Sequence, residues 1–131
     1  MRRRAHWYVK SAGLAAAIAL LCAIALPAWT DYIRLARRNE AMGTLQEMQQ
    51  RQARWRANNP SFSDTLLPGP GASTHYRFTI PTATATRYVL RAVASGDQTG
   101  DTGCTTLEIE FNAGALTRHP NPDTPNCWRR N

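Results

Sequence analysis

The sequence predicts an α+β protein: one long N-terminal helix packed on a small antiparallel sheet. Three observations carry that prediction. Ser11 to Thr30 is a run of twenty uncharged, mostly apolar residues, long enough to cross a hydrocarbon core of about 30 Å as a helix. Past Thr30, Leu35, Met42, Leu45, Met48 and Trp55 recur at helical spacing among charged residues, so the helix leaves the apolar run and continues as an amphipathic one. Three segments then alternate apolar and polar residues in the manner of half-buried strands.

Taken in order, residues 1–10 form a basic flank. Arg2, Arg3, Arg4 and Lys10 precede the apolar run, and this asymmetry holds the N-terminus in the cytoplasm. Residues 11–30 form the membrane half of the helix and 31–58 its amphipathic half, the whole running from about His6 to Asn58. Pro27 predicts a bend, because proline removes a backbone hydrogen bond and crowds the preceding turn. The stretch from Gln46 to Arg54 is rich in good helix formers. Asn58-Asn59-Pro60 ends the helix, since the residue before proline avoids the helical region.

From Ser61 to Thr74 the chain is rich in Ser, Pro and Gly. It reads as a loop pinned to the core by Leu66-Leu67. The strand signals are Tyr76, Phe78 and Ile80, then Tyr88 to Val93, then Leu107, Ile109 and Phe111. Turn residues separate them, and Asn112-Ala113-Gly114 follows the third. One apolar and one polar face on each strand suit an antiparallel sheet covered on one side, with the amphipathic half-helix as the cover. The tail from Arg118 to Asn131 is proline-rich and reads as irregular, tethered by Cys127. Residues 59–131 thus hold the loop, the sheet and the C-terminal region, and 31–131 form one globular domain. About one hundred residues suffice for one small core and not for two.

Cys22 sits inside the apolar run as a small hydrophobe. Cys104 and Cys127 lie in the exported part, where disulfides form and persist. Closing a loop of that length stabilises a fold by about 3 kcal/mol in the chain-entropy estimate. Neither cysteine has a second ligand at zinc spacing, and His6, His75 and His119 lie far apart, so no metal is expected. The formal charge of +7 reflects the basic flank together with arginines such as Arg34, Arg37, Arg38, Arg51, Arg54 and Arg56, interrupted by Asp31, Glu40 and Glu47. A solvated helix face accounts for these. Glu108 and Glu110 share a strand face that reads as solvated.

Gly69-Pro70-Gly71 lacks the lysine and helix of a phosphate-binding loop and reads as a turn. No nucleophile or acid–base constellation is present, so neither an enzyme nor a cofactor is expected. Trp29 and Tyr32 fall where the apolar run ends, as in an interfacial aromatic belt. Trp55 is expected to pack in the core or against a loop. Trp128 would pack beside the disulfide or serve adhesion, and Arg129-Arg130 beside it suit an acidic surface or DNA.

The segment Ala16-Ala17-Ile18-Ala19 through Ile24-Ala25-Leu26-Pro27-Ala28-Trp29-Thr30-Asp31-Tyr32 resembles the N-terminal helix of type IV pilins. Ile33-Arg34-Leu35-Ala36-Arg37-Arg38-Asn39-Glu40-Ala41 continues that likeness. Gln52 to Ser63 is similar to the end of the helix in PilE-like minor pilins. Asp101 to Leu107 and Asn126-Cys127-Trp128 look like the disulfide-closed C-terminal region of the same group. The resemblance implies a type IV pilin fold and a minor pilin or pilin-like assembly protein. It would be anchored in a bacterial inner membrane with its C-terminal domain periplasmic, and would be extracellular once in a filament. Its implied partners are other pilin subunits and the assembly machinery, through the helix, and a prepilin peptidase acting at Ala5-His6. Adhesion, twitching motility and DNA uptake are the implied roles. A DNA-receptor pilin of the competence system is a specialisation that predicts salt-sensitive DNA binding through residues such as Arg129 and Arg130.

The N-terminus departs from the prepilin pattern of a glycine, a methylated phenylalanine and a glutamate shortly after. Counting back without gaps from Pro27, those positions hold Ala5, His6 and Lys10. Lys10 reverses the charge of a glutamate thought to pair with a neighbouring subunit's amine in an apolar environment, where unpaired charge is costly. Three explanations compete: a minor pilin placed where that glutamate is dispensable, a membrane-held protein that is never processed, or a degenerate segment. A different class of reading is a secreted or periplasmic binding module whose signal peptide ends near Ala23-Ile24-Ala25. Cleavage there would cut a helix whose periodicity runs straight through.

Overall fold

The structure, a computed structural model, describes residues 2–120 and 126–128, with side chains from Trp7 onward. The chain falls into two compact units that part between Ile33 and Arg34. Helix α1 spans Arg2–Arg56, four residues longer at its start than the sequence suggests and two shorter at its end. In the first unit every residue from Trp7 to Tyr32 is exposed, the large apolar side chains Leu14, Ile18, Leu21 and Ile24 among them. Pro27 lies inside the helix, and Thr30 Oγ1 donates to its carbonyl over 2.8 Å. Among the described residues this is the one helix long and apolar enough to cross a membrane.

In the second unit α1 changes character. Ala41, Met42, Leu45, Met48 and Gln52 are buried at spacings of three and four residues, which places them on one face. That face packs on a four-stranded antiparallel sheet in the order β1-β2-β3-β4: β1 Tyr76–Ala83, β2 Arg87–Ala94, β3 Thr106–Asn112 and β4 Ala115–His119. Cross-strand partners share a face, so the register fixes the core. Leu90 faces Ile109 and Ala92 faces Leu107, all buried with Tyr76 and Tyr88. Fully burying a side chain such as Leu90 contributes about 1.5–3 kcal/mol.

The structure corrects the sequence reading in three places. Arg118 and His119, read as the start of an irregular tail, are the last two residues of β4, a strand the sequence reading did not expect. Ala113 and Gly114 both take positive φ, 48° and 94°, the two left-handed central positions that a tight hairpin turn requires. Asn112 then pairs with Ala115 and Phe111 with Leu116. Second, the loop after α1 is not pinned by Leu66-Leu67, since Leu67 is 46% exposed. It is held by Gln52, whose buried amide accepts from Ser63 N at 3.0 Å and donates back to Ser63 O. The side chain thereby imitates a strand partner, which is why a polar residue occupies a core position. Third, Trp55 is 40% exposed and stands outside the core cluster. After Gln52 the helix face towards the sheet advances by four residues to half-buried Arg56, not by three to Trp55.

Candidate functional site

Two constructions in the second unit arrange chemically able side chains. The first is the connection from β2 to β3. Its 3₁₀ turn, Gly96–Gly100, brings Gln98 into the interior, where it is fully buried. Gln98 Nε2 lies 3.1 Å from both the Arg34 carbonyl and the Tyr76 hydroxyl, and 3.2 Å from Asp101 Oδ2. Asp101 in turn receives both prongs of Arg38, Nε at 2.9 Å and NH2 at 2.6 Å. A two-pronged guanidinium–carboxylate pair is strong and directional. Arg38 is therefore no member of a solvated helix face: it ties α1 to the loop. The Arg34 guanidinium closes over Gly100, where a Cβ would come within 2.6 Å of NH2. Burial raises the Tyr76 phenol above its ordinary value of 10.0, opposed by the hydrogen bond from Gln98.

The same loop leads to the disulfide. Cys104 N donates to Asp101 O at 3.0 Å, and Cys104 is bonded to Cys127 across a separation of 23 residues. Both cysteines are buried in the core cluster, and Trp128 packs against it, donating from Nε1 to His119 O at 3.3 Å. The arrangement is structural: it fastens two stretches of loop to the helix and sheet.

The second construction is a cleft of about 450 Å³ beside the last turns of α1, within the range of about 300–1,000 Å³ usual for small-ligand sites. Phe62, Tyr88 and Phe111 form its aromatic wall. Tyr88 and Phe111 stack at 5.3 Å between centroids and 10° between planes, and Phe62 meets each edge-on, at 4.7 Å and 5.4 Å. Register explains the pair, because Tyr88 on β2 faces Phe111 on β3. Arg56, Gln49 and Gln50 of α1 supply the polar rim. Arg56 is held by the carbonyls of Asn59 at 2.8 Å and Ala85 at 3.3 Å, with its guanidinium 5.8 Å from the Phe62 centroid. Tyr88 is only 4% exposed. Burial alone pushes its phenol up from 10.0. Nothing in the spacing of Arg56, Phe62, Tyr88 and Phe111 announces this cleft, since each sits in a different element or loop.

The outer face of the sheet carries charge. Arg87 pairs with Glu110 at 2.8 Å and Arg91 pairs with Glu108, so the two glutamates read as solvated are each matched by an arginine on the neighbouring strand. His119 Nε2 stands 3.7 Å from the second oxygen of Glu110. Arg37, Arg54, Arg56, Arg77 and Arg118 have no acidic partner among the described residues, leaving a basic surplus. Arg118 instead lies over the Trp128 ring at 5.8 Å.

Of the residues singled out by sequence, Cys104 and Cys127 are brought together and Lys10 is exposed on α1. Ala5 and His6 belong to α1 but fall among residues whose side chains are not described, and Arg129 and Arg130 lie outside the described residues. No cluster of His, Cys, Asp and Glu suited to a metal ion forms among the described residues.

No curated protein matches the chain. The family model of the type IV minor pilin ComP, DNA uptake sequence receptor, matches residues 27–108, from Pro27 in the apolar helix through β1 and β2 to the start of β3. That match covers well over half of the sequence, and the long helix, antiparallel sheet and Cys104–Cys127 disulfide are consistent with the type IV pilin fold. The chain belongs to the type IV minor pilin family.

Proposed function

We propose that this type IV pilus subunit acts in DNA uptake. It is held in the bacterial inner membrane by the Ser11–Thr30 run, with its basic flank cytoplasmic and its sheet periplasmic, and it enters an extracellular filament on assembly. The observation that carries the reading is the family match, whose description names a DNA uptake sequence receptor. Within this chain, the arginines left without acidic partners support it. Duplex DNA rewards clustered arginine regardless of sequence, through release of condensed counterions. In the same reading, the apolar half of α1 packs with other pilin subunits, Trp29 and Tyr32 lie at the membrane interface, and any peptidase would cut beside Ala5-His6. Lys10 then places the subunit where the family's glutamate is dispensable.

Full-length protein in detergent provides the test. Duplex affinity should fall linearly on a log–log plot against salt, with a slope of about −0.9 per phosphate neutralised. Arg54→Gln with Arg77→Gln should reduce that slope. Salt-independent or absent binding would remove DNA uptake and leave a pilus subunit with another role. Intact mass of protein from membranes and from sheared filaments tests the anchor: a chain starting at His6 in filaments supports processing, and a soluble chain starting near Leu26 would sink the membrane-anchored reading.

A further inference from the structure

The cleft beside the end of α1 has the composition of a ligand site without a structural need for it. Phe62, Tyr88 and Phe111 already meet one another, stacked and edge-on, and a cleft remains beside them. Here they enclose about 450 Å³ open to solvent. Its single charged lining residue is Arg56, and no acidic side chain lines it. Arg56 uses two of its five N–H groups, from Nε and NH1, on backbone carbonyls, so its second terminal nitrogen is free to bind an acceptor. An occupant that satisfies all of this has a flat apolar body, hydrogen-bonding edges and a negative charge at one end.

A nucleotide meets that description, and the surroundings favour it. Within the cleft, the Arg56 guanidinium stands over the Phe62 ring, 5.8 Å from its centroid. Aromatic faces and arginines interleaved in this way bind unpaired bases, because every base has a face to stack and a phosphate beside it. An apolar peptide side chain would fill the aromatic wall but leave Arg56 without an anion. We propose that the cleft formed by Phe62, Tyr88, Phe111 and Arg56 receives a single unpaired nucleotide of bound DNA. Its base lies against the aromatic wall and its phosphate meets Arg56. The inference rests on the DNA reading above and adds to it a preference for DNA bearing an unstacked base.

Full-length protein in detergent micelles is titrated with two duplexes of one sequence, one blunt and one carrying a single extrahelical 2-aminopurine. The bulged duplex should bind about tenfold more tightly, in line with one base stacked on aromatic side chains, and its fluorescence should be quenched on binding. Phe62→Leu and Arg56→Gln should each bring the ratio of the two affinities towards one. Tyr88→Phe, which keeps the ring, should lower it less. Circular dichroism and a melting curve on each variant separate loss of the cleft from loss of the fold. Equal affinities for both duplexes in the unaltered protein would overturn the cleft proposal and leave DNA binding intact. No binding of either duplex would overturn both. Equal affinities together with self-association abolished by Phe62→Leu would assign the cleft to a protein partner instead.

Discussion

The stretches Trp7–Tyr32 and Arg34–Arg56 belong to one helix and present side chains in opposite ways. In the first, leucines, isoleucines and tryptophans are all exposed. In the second, fewer apolar residues occur, yet Met42, Leu45 and Met48 are almost wholly buried, and even glutamine and arginine are drawn into the interior. The backbone geometry is shared, so the difference lies in what surrounds each stretch. A helix apolar all round is stable only where its environment is apolar too. A helix apolar along one stripe needs a sheet to complete it. The first stretch specifies a solvent and the second specifies a partner.

That contrast can be broken most directly with leucines. Leu45→Ala should destabilise the sheet-bearing unit by about 2–5 kcal/mol, read as a shifted midpoint of urea unfolding in detergent. Leu20→Ala should leave that midpoint where it was, and equal shifts would abolish the distinction. Reduction of Cys104–Cys127 comes next, at about 3 kcal/mol, again with no change in membrane partitioning. Asp101→Asn should cost about 1–3 kcal/mol by stranding the buried Arg38 donors; Arg38→Met combined with Asp101→Leu should recover part of the loss, which the same unfolding curves would show.

Alkaline titration sharpens the picture further. The Tyr76 and Tyr88 phenols are raised in the folded protein, chiefly by burial. Native protein therefore holds these protons more tightly than unfolded chain. Their contribution is fully present below 10.0, the ordinary tyrosine value, and is lost as pH rises past it towards the raised folded values. Tyr88→Phe should flatten part of that decline in unfolding free energy measured across the alkaline range. The smallest effect belongs to the outer sheet face: Arg87→Gln should change stability by about 0–1 kcal/mol, because its pair with Glu110 is well exposed.

Much of this architecture was legible because it rests on periodicity. Alternation at Tyr76-Phe78-Ile80 and Leu107-Ile109-Phe111 marks strands, and the spacing of Met42, Leu45 and Met48 marks a helix face. β4 escaped because Ala115 to His119 contains one large apolar residue, Leu116, and most of the strand is exposed. The turn before it did carry a signal in Gly114. The Gln98–Asp101–Arg38 network was hidden for a different reason. Ser95-Gly96-Asp97-Gln98-Thr99-Gly100-Asp101 has the composition of a solvated loop, and only the tertiary fold shows that it turns inward onto α1. The cleft was least legible of all, since its wall is assembled from a loop and two strands and its rim from the helix.

The two margins of the sheet bear on how such subunits live together. A strand margin is a template onto which another chain's strand can zip. Here β4 is five residues long and bears Arg118 and His119, while β1 is interrupted between Thr79 and Thr82, where Pro81 has no N–H to offer. Copies crowded side by side in a bilayer, or along a fibre, would otherwise be exposed to runaway strand exchange. With both margins blunted, pairing of one sheet with another along these strands is disfavoured.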